Sequence, residues 1–74
     1  MVNAGHLLQV ALNDRYDFVA AWISSSRVVC NVYEGDTCLA LSSPRVVFGH
    51  DRHVLVIVHG KIGWVNENFL KEAT

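Results

Sequence analysis

The sequence comes closest to a metal-binding motif at His50 and His53, which are separated by two residues, the first of them Asp51. Zinc sites need three or four ligands, usually with cysteine among them. The remaining histidines, His6 and His59, are not placed beside this pair by any sequence pattern. We therefore interpret the pair as part of a polar loop, and we predict neither a metal nor another cofactor.

The two cysteines, Cys30 and Cys38, flank the sequence Glu34-Gly35 almost symmetrically. A hairpin centred on Glu34 would bring them face to face. Cross-strand Cβ atoms lie about 4.5–5.5 Å apart, which is wider than the roughly 3.8 Å typical of a disulfide, so a bridge would be strained. Because the N-terminus lacks the features of an export signal, we expect both to be small buried thiols.

Nucleophilic catalysis needs a nucleophile, a base and an orienting group within reach of one another. The serines lie in two short runs, 24–26 and 42–43, which are typical of turns. None of them lies in a Gly-x-Ser-x-Gly motif, and the sequence has no glycine-rich phosphate loop. The seven carboxylates also fall in turns or in the tail. The pattern favours a protein without catalysis, although the question stays open at this stage.

Charge and hydropathy argue against nucleic acid and membrane as partners. The net charge is −1, the isoelectric point is near 6.4, and the six basic residues are scattered, so there is no positive surface to attract anions. The unbroken apolar runs, such as 18–23 and 54–58, have at most six residues, far short of the roughly 20 residues that span a bilayer. We expect a cytoplasmic protein, and its small size suggests a gene of a phage or mobile element.

Short apolar stretches, broken by turn residues about every ten positions, predict an all-β barrel or sandwich in a single domain, 1–74. Leu8, Val10 and Leu12 alternate with other residues as in a half-buried strand. Further strands are expected over 27–33, 37–41, 53–58 and 62–65, and 46–48 is a short apolar piece. Asn66 is expected to cap a short helical turn over 67–70, and residues 71–74 to fray.

The segment from Phe18 to Ser24 is apolar on both faces of a strand. Two apolar faces indicate a central strand or a contact between subunits. A helix is the competing interpretation, because Ala-Ala-Trp-Ile is neutral in propensity. In a strand, one face would cover the core and the other would be exposed in a monomer. We therefore predict that the oligomer interface includes Phe18, Val19, Ala21, Trp22 and Ile23.

The last third of the chain carries a recognisable series of motifs, Gly60-Lys61, Gly63-Trp64-Val65 and Phe69-Leu70, preceded upstream by the turn 32–37. The segment of about 28–71 resembles the bacterial SH3-like barrel. The resemblance implies five to seven short antiparallel strands with a C-terminal 3-10 turn, to which strands within 6–24 are added. The family's Asn-Val-Arg-Ser-Gly-Pro type loop is missing here, so peptidoglycan or peptide recognition is not transferred.

We predict a buried core of Val54, Val56, Val58, Trp64, Val65 and Leu70, and binding residues Tyr16, Trp22 and Trp64. The predicted function is a non-catalytic binding or assembly module of unknown ligand. It would act as a homo-oligomer, most simply a dimer, and another protein is a further candidate partner. The alternative is an enzyme or small-molecule binder whose site forms only at the oligomer interface. The barrel motifs and the lack of a catalytic constellation motivate the first function. The surplus of apolar residues, which make up 51% of the chain, motivates the alternative.

Overall fold

The computed structural model describes residues 2–49 and 51–73. They form eight strands and one 3-10 turn, and within them no helix is long and apolar enough to cross a membrane. The strands are β1 (Leu7–Val10), β2 (Val19–Ser24), β3 (Arg27–Val32), β4 (Thr37–Ala40), β5 (Arg45–Val46), β6 (Arg52–Val58), β7 (Lys61–Asn66) and β8 (Leu70–Glu72), and the 3-10 turn is Glu67–Phe69. The all-β prediction is confirmed with more strands than expected, and the helical alternative for 18–24 is wrong.

All strand pairs are antiparallel and belong to one sheet with the order β3-β2-β7-β6-β4-β1-β8, while β5 pairs with the start of β6. The β6–β7 hairpin turns through His59 and Gly60, whose φ angles are 53° and 73°. Two consecutive positive φ values are typical of the type I′ turn, whose twist matches that of the flanking strands. The tight turn predicted at this position is confirmed.

One apolar core lies on the inner face of the sheet. It consists of Leu8, Val10, Leu12, Ala21, Val32, Cys38, Ala40, Val54, Val56, Val58 and Val65. The prediction that Trp64 is buried is wrong, because successive side chains of a strand point to opposite faces and Val65 takes the inward position. Trp64 is half-buried on the outer face, and Leu70 is half-buried and packs against the core.

The cysteines do not face each other, because β3 and β4 are not neighbours in the sheet. Cys30 pairs with Ala21 and Cys38 with Leu8, and both thiols are free. Burial of Cys38, with a smaller contribution from the charge of Asp36, raises the pKa of its thiol to about 11.

The expectation that residues 71–74 fray is wrong for Lys71 and Glu72. Both belong to β8, where they pair with Gln9 and Leu8 of β1. The N–H of Ala73 extends this ladder by donating to the carbonyl of Leu7 at 3.0 Å. The last strand is therefore held by backbone hydrogen bonds to the first one.

Candidate interaction surface

A row of apolar side chains crosses four neighbouring strands on the outer face of the sheet. Leu7 of β1 pairs with Leu39 of β4, Leu39 with Ile57 of β6, and Ile57 with Ile62 of β7. Cross-strand partners share one face, with Cβ atoms about 4.5–5.5 Å apart, so the four side chains form a continuous strip. Leu7 and Ile62 are 55% and 52% exposed at its two ends.

A second apolar row runs beside the first and includes both tryptophans. Trp22 of β2 pairs with Trp64 of β7, and Trp64 with Leu55 of β6. The N–H of Leu41 donates to the carbonyl of Leu55 at 2.7 Å, which extends the row. We call the two rows together the outer apolar patch: Leu7, Leu39, Ile57, Ile62, Trp22, Trp64, Leu55 and Leu41.

Gly63 allows β2 and β7 to approach closely beneath the tryptophans. A Cβ atom at this position would lie 3.1 Å from the Cβ of Ala21 and 3.4 Å from the carbonyl oxygen of Trp22. The first distance is shorter than ordinary van der Waals contact between carbons, about 3.5–4.0 Å, whereas the second is at the lower limit of ordinary contact. The missing side chain of Gly63 therefore sets how closely Trp22 lies to Trp64 on the opposite face.

A groove of about 290 Å³ adjoins the patch, and it is lined by Tyr16, Val19, Ala20, Trp22, His53, Asn66 and Phe69. The rings of Tyr16 and Phe69 meet edge to face with their centroids 5.4 Å apart. Ligand pockets usually measure about 300–1,000 Å³. The volume of the groove is at the lower limit of this range, which suits one side chain or a small ligand. Trp22 belongs to both the groove and the patch.

Polar groups at one end of the groove are held by local hydrogen bonds. His53 is 8% exposed, and its Nδ1–H donates to the carbonyl of Asp51 at 3.0 Å. The side-chain amide of Asn66 donates to the carboxylate of Asp51 at 3.3 Å, and its oxygen accepts the N–H of Asn68 at 2.9 Å. The second bond is the cap predicted for the helical turn.

The candidate metal pair is only partly described, because His50 lies outside the residues that the structure describes. Within 2–49 and 51–73, no group of three or more histidine, cysteine, aspartate or glutamate side chains is placed to hold a metal ion. Two histidine rings lie within hydrogen-bond distance of carboxylates, His6 of Glu72 at 2.7 Å and His59 of Asp36 at 2.8 Å. These pairs connect neighbouring segments of the surface.

The predicted binding residues are brought close together but do not all line one site. Tyr16 and Trp22 lie in the groove, whereas Trp64 lies beside Trp22 in the patch. Of the predicted interface residues, Phe18 and Ile23 are 49% and 59% exposed.

Two of the predicted interface residues face the other way. Ala21 is fully buried in the core, so its assignment to the interface is corrected, because the face of β2 that it occupies covers the core. Val19 is half-buried and also packs against the core.

Most of the patch was missed from the sequence. The strands of Leu39, Ile57 and Ile62 were predicted, but the register that brings these residues into one row depends on pairing between distant segments. The signal that was available is the unbroken apolar run 54–58, which leaves apolar side chains on both faces of β6.

Neither family models, nor curated proteins, nor solved structures give a match to this chain.

Proposed function

We propose that the chain is a non-catalytic binding or assembly module that acts as a homo-oligomer, with the outer apolar patch joining the copies. The observation that supports this most directly is the continuity of the patch over five strands, β1, β4, β6, β7 and β2. Contiguous apolar areas of several hundred Å² on a protein surface usually mark an interaction site. The proposal includes the SH3-like identity of the barrel, which rests on its C-terminal motifs.

A second copy of the chain suits this surface because none of the eight patch side chains is charged. In a two-fold contact the same patch is used by both copies. Two apolar patches meet without burying an unpaired charge, which would cost several kcal/mol or more. A partner of opposite charge is not required, and the chain as a whole carries a net charge of only −1.

Sedimentation of one charged variant and a matched control tests this proposal. Ile62→Lys places an ammonium group at the end of the patch where the side chain is already 52% exposed, so the fold should tolerate it. Val46→Lys makes the same kind of change on β5, where Val46 is 64% exposed and outside the patch. We expect Ile62→Lys to lower the molecular mass at micromolar concentration and Val46→Lys to leave it unchanged. A monomeric parent, or equal masses for the two variants and the parent, contradicts the proposal.

A second candidate function is small-molecule binding or catalysis at the same interface. The supporting observation is that Trp22 lies in both the groove and the patch, so a partner copy seated on the patch would cover the open side of the groove. The test is a panel of small aromatic and aliphatic fragments, followed by the NMR signals of Trp22 and Tyr16. We expect shifts in the parent that weaken in Ile62→Lys. This candidate is contradicted if no fragment shifts the signals of Trp22 and Tyr16, or if the shifts are equal in the parent and in Ile62→Lys.

A further inference from the structure

One edge of the sheet lacks the features that usually prevent pairing with another strand. β3 ends the strand order, and among the described residues it pairs only with β2. Such an edge presents unpaired N–H and C=O groups, which natural proteins usually protect with lysine, proline or a very short strand. After Arg27, β3 continues as Val-Val-Cys-Asn-Val, without charge or proline.

The opposite edge, β8, is built differently. It has three residues, of which Lys71 and Glu72 are charged and exposed. Charge and shortness are two of the devices that discourage edge pairing. The contrast indicates that β3, and not β8, is the edge suited to a further strand.

Charges at the two ends of β3 favour a second copy of this chain in antiparallel orientation. Arg27 begins the strand and takes no part in the ion pairs of the described residues, while Glu34 and Asp36 follow its end. Antiparallel pairing of two β3 strands brings Arg27 of each copy close to Glu34 of the partner subunit, one such contact at each end of the paired strands. Parallel pairing would place the two Arg27 side chains together.

We propose that β3 pairs with β3 of a second copy about a two-fold axis at Asn31. This contact rests on the homo-oligomer proposed above and adds a second surface to it. A two-fold axis perpendicular to the sheet leaves the outer faces of both copies on the same side of the joined sheet. With such an axis, the residue nearest to it lies opposite the same residue of the partner subunit. The register is therefore defined by the single residue that lies beside the axis. Pairing with β2 is irregular near Trp22 and regular over 30–32, and Asn31 is the middle of that regular segment.

The proposed register places the two Asn31 side chains opposite each other on the outer face. Asn31 pairs with Ala20, which lines the groove, whereas its neighbour Cys30 packs against the core. Directly opposed Cβ atoms lie about 4.5–5.5 Å apart, within reach of amide hydrogen bonds. Because the patch and the edge are separate two-fold contacts, the full assembly contains at least four copies.

The test combines one isosteric substitution with the patch variant described above. Asn31→Asp keeps the shape of the side chain and places two like charges opposite each other at the axis, which should weaken the contact about tenfold or more. Asn68→Asp makes the same charge change at an exposed position in the 3-10 turn. By sedimentation we expect the parent and Asn68→Asp to contain four or more copies, Asn31→Asp and Ile62→Lys to form dimers, and the double variant to be monomeric.

Hydrogen exchange gives a second measurement that needs no substitution. The amides of 30–32 that point away from β2 should exchange rapidly in dilute protein and become protected as concentration rises. An oligomer whose mass Asn31→Asp leaves unchanged, with those amides unprotected, overturns the edge contact but leaves the patch proposal standing. A parent that stays monomeric overturns both. Protection of the same amides in a monomeric sample shows that something other than a second copy covers the edge, and also overturns the inference.

Discussion

Replacing Gly63 with alanine tests whether the close approach of β2 and β7 is a packing requirement. The added methyl carbon would lie 3.1 Å from the Cβ of Ala21, so one strand must move by about 0.5 Å to reach ordinary contact. Overpacking of this kind costs about 1–3 kcal/mol. Alanine also restricts the conformations of the unfolded chain, which offsets about 0.4–1 kcal/mol of this cost. We expect a net loss of about 0.5–2 kcal/mol in the free energy of unfolding, or about 2–16 °C in Tm.

A double-mutant cycle separates this clash from a general effect of the substitution. Ala21→Gly alone removes one buried methyl group and adds backbone freedom, so it should cost about 1–2 kcal/mol. The double variant Ala21→Gly/Gly63→Ala moves the methyl group from β2 to β7 and relieves the contact. We therefore expect it to be more stable than the sum of the single changes predicts, by about 1–3 kcal/mol.

The assay is urea unfolding followed by the fluorescence of Trp22 and Trp64, at one low protein concentration so that association does not alter the midpoint. Two results would refute the reasoning. One is a Gly63→Ala variant as stable as the parent or more so. The other is a double variant whose loss equals the sum of the single losses to within about 0.5 kcal/mol.

Two further predictions concern single polar groups. The carboxylate of Glu34 accepts the N–H of Leu12 at 2.7 Å, so Glu34→Ala should lower the free energy of unfolding in urea by about 1–3 kcal/mol. Glu34→Gln keeps an oxygen acceptor and should lower it by less. Equal losses for the two variants would contradict this role. The thiol of Cys38 keeps its proton in the folded protein up to a pKa of about 11, against 9.0 unfolded. The folded state therefore binds more protons, and the free energy of unfolding should be unaffected below pH 9 and fall by about 2–3 kcal/mol as pH rises to 11; a Cys38→Ala variant that loses the same amount would contradict this cause.

Local features of the fold were predictable because short-range chemistry determines them. The apolar run of β6, the tight turn at His59-Gly60 and the cap at Asn66 all involve residues close in sequence. The alternation of Leu8, Val10 and Leu12 likewise predicted which side of the first segment is buried. Each of these predictions is confirmed.

Long-range pairing explains what the sequence analysis missed. β8 is the tripeptide Leu-Lys-Glu, whose composition shows no strand pattern, and it becomes a strand because β1 offers it backbone partners. The hairpin that would have brought Cys30 and Cys38 face to face assumed that neighbouring strands in sequence are neighbours in space. The candidate surface depended on register in the same way, so only Trp22 of the predicted interface residues belongs to the outer apolar patch.

The ladder between β1 and β8 also bears on how fast the protein folds. It joins Leu8 to Glu72, so nearly the whole chain must be ordered before these residues meet, whereas β6 and β7 are joined by a two-residue turn. Closing a long loop costs entropy before its contacts form, and such non-local pairing slows folding. We expect the β6–β7 hairpin to form early and the β1–β8 ladder last. During synthesis, one edge of β1 would then stay unpaired until β8 has left the ribosome.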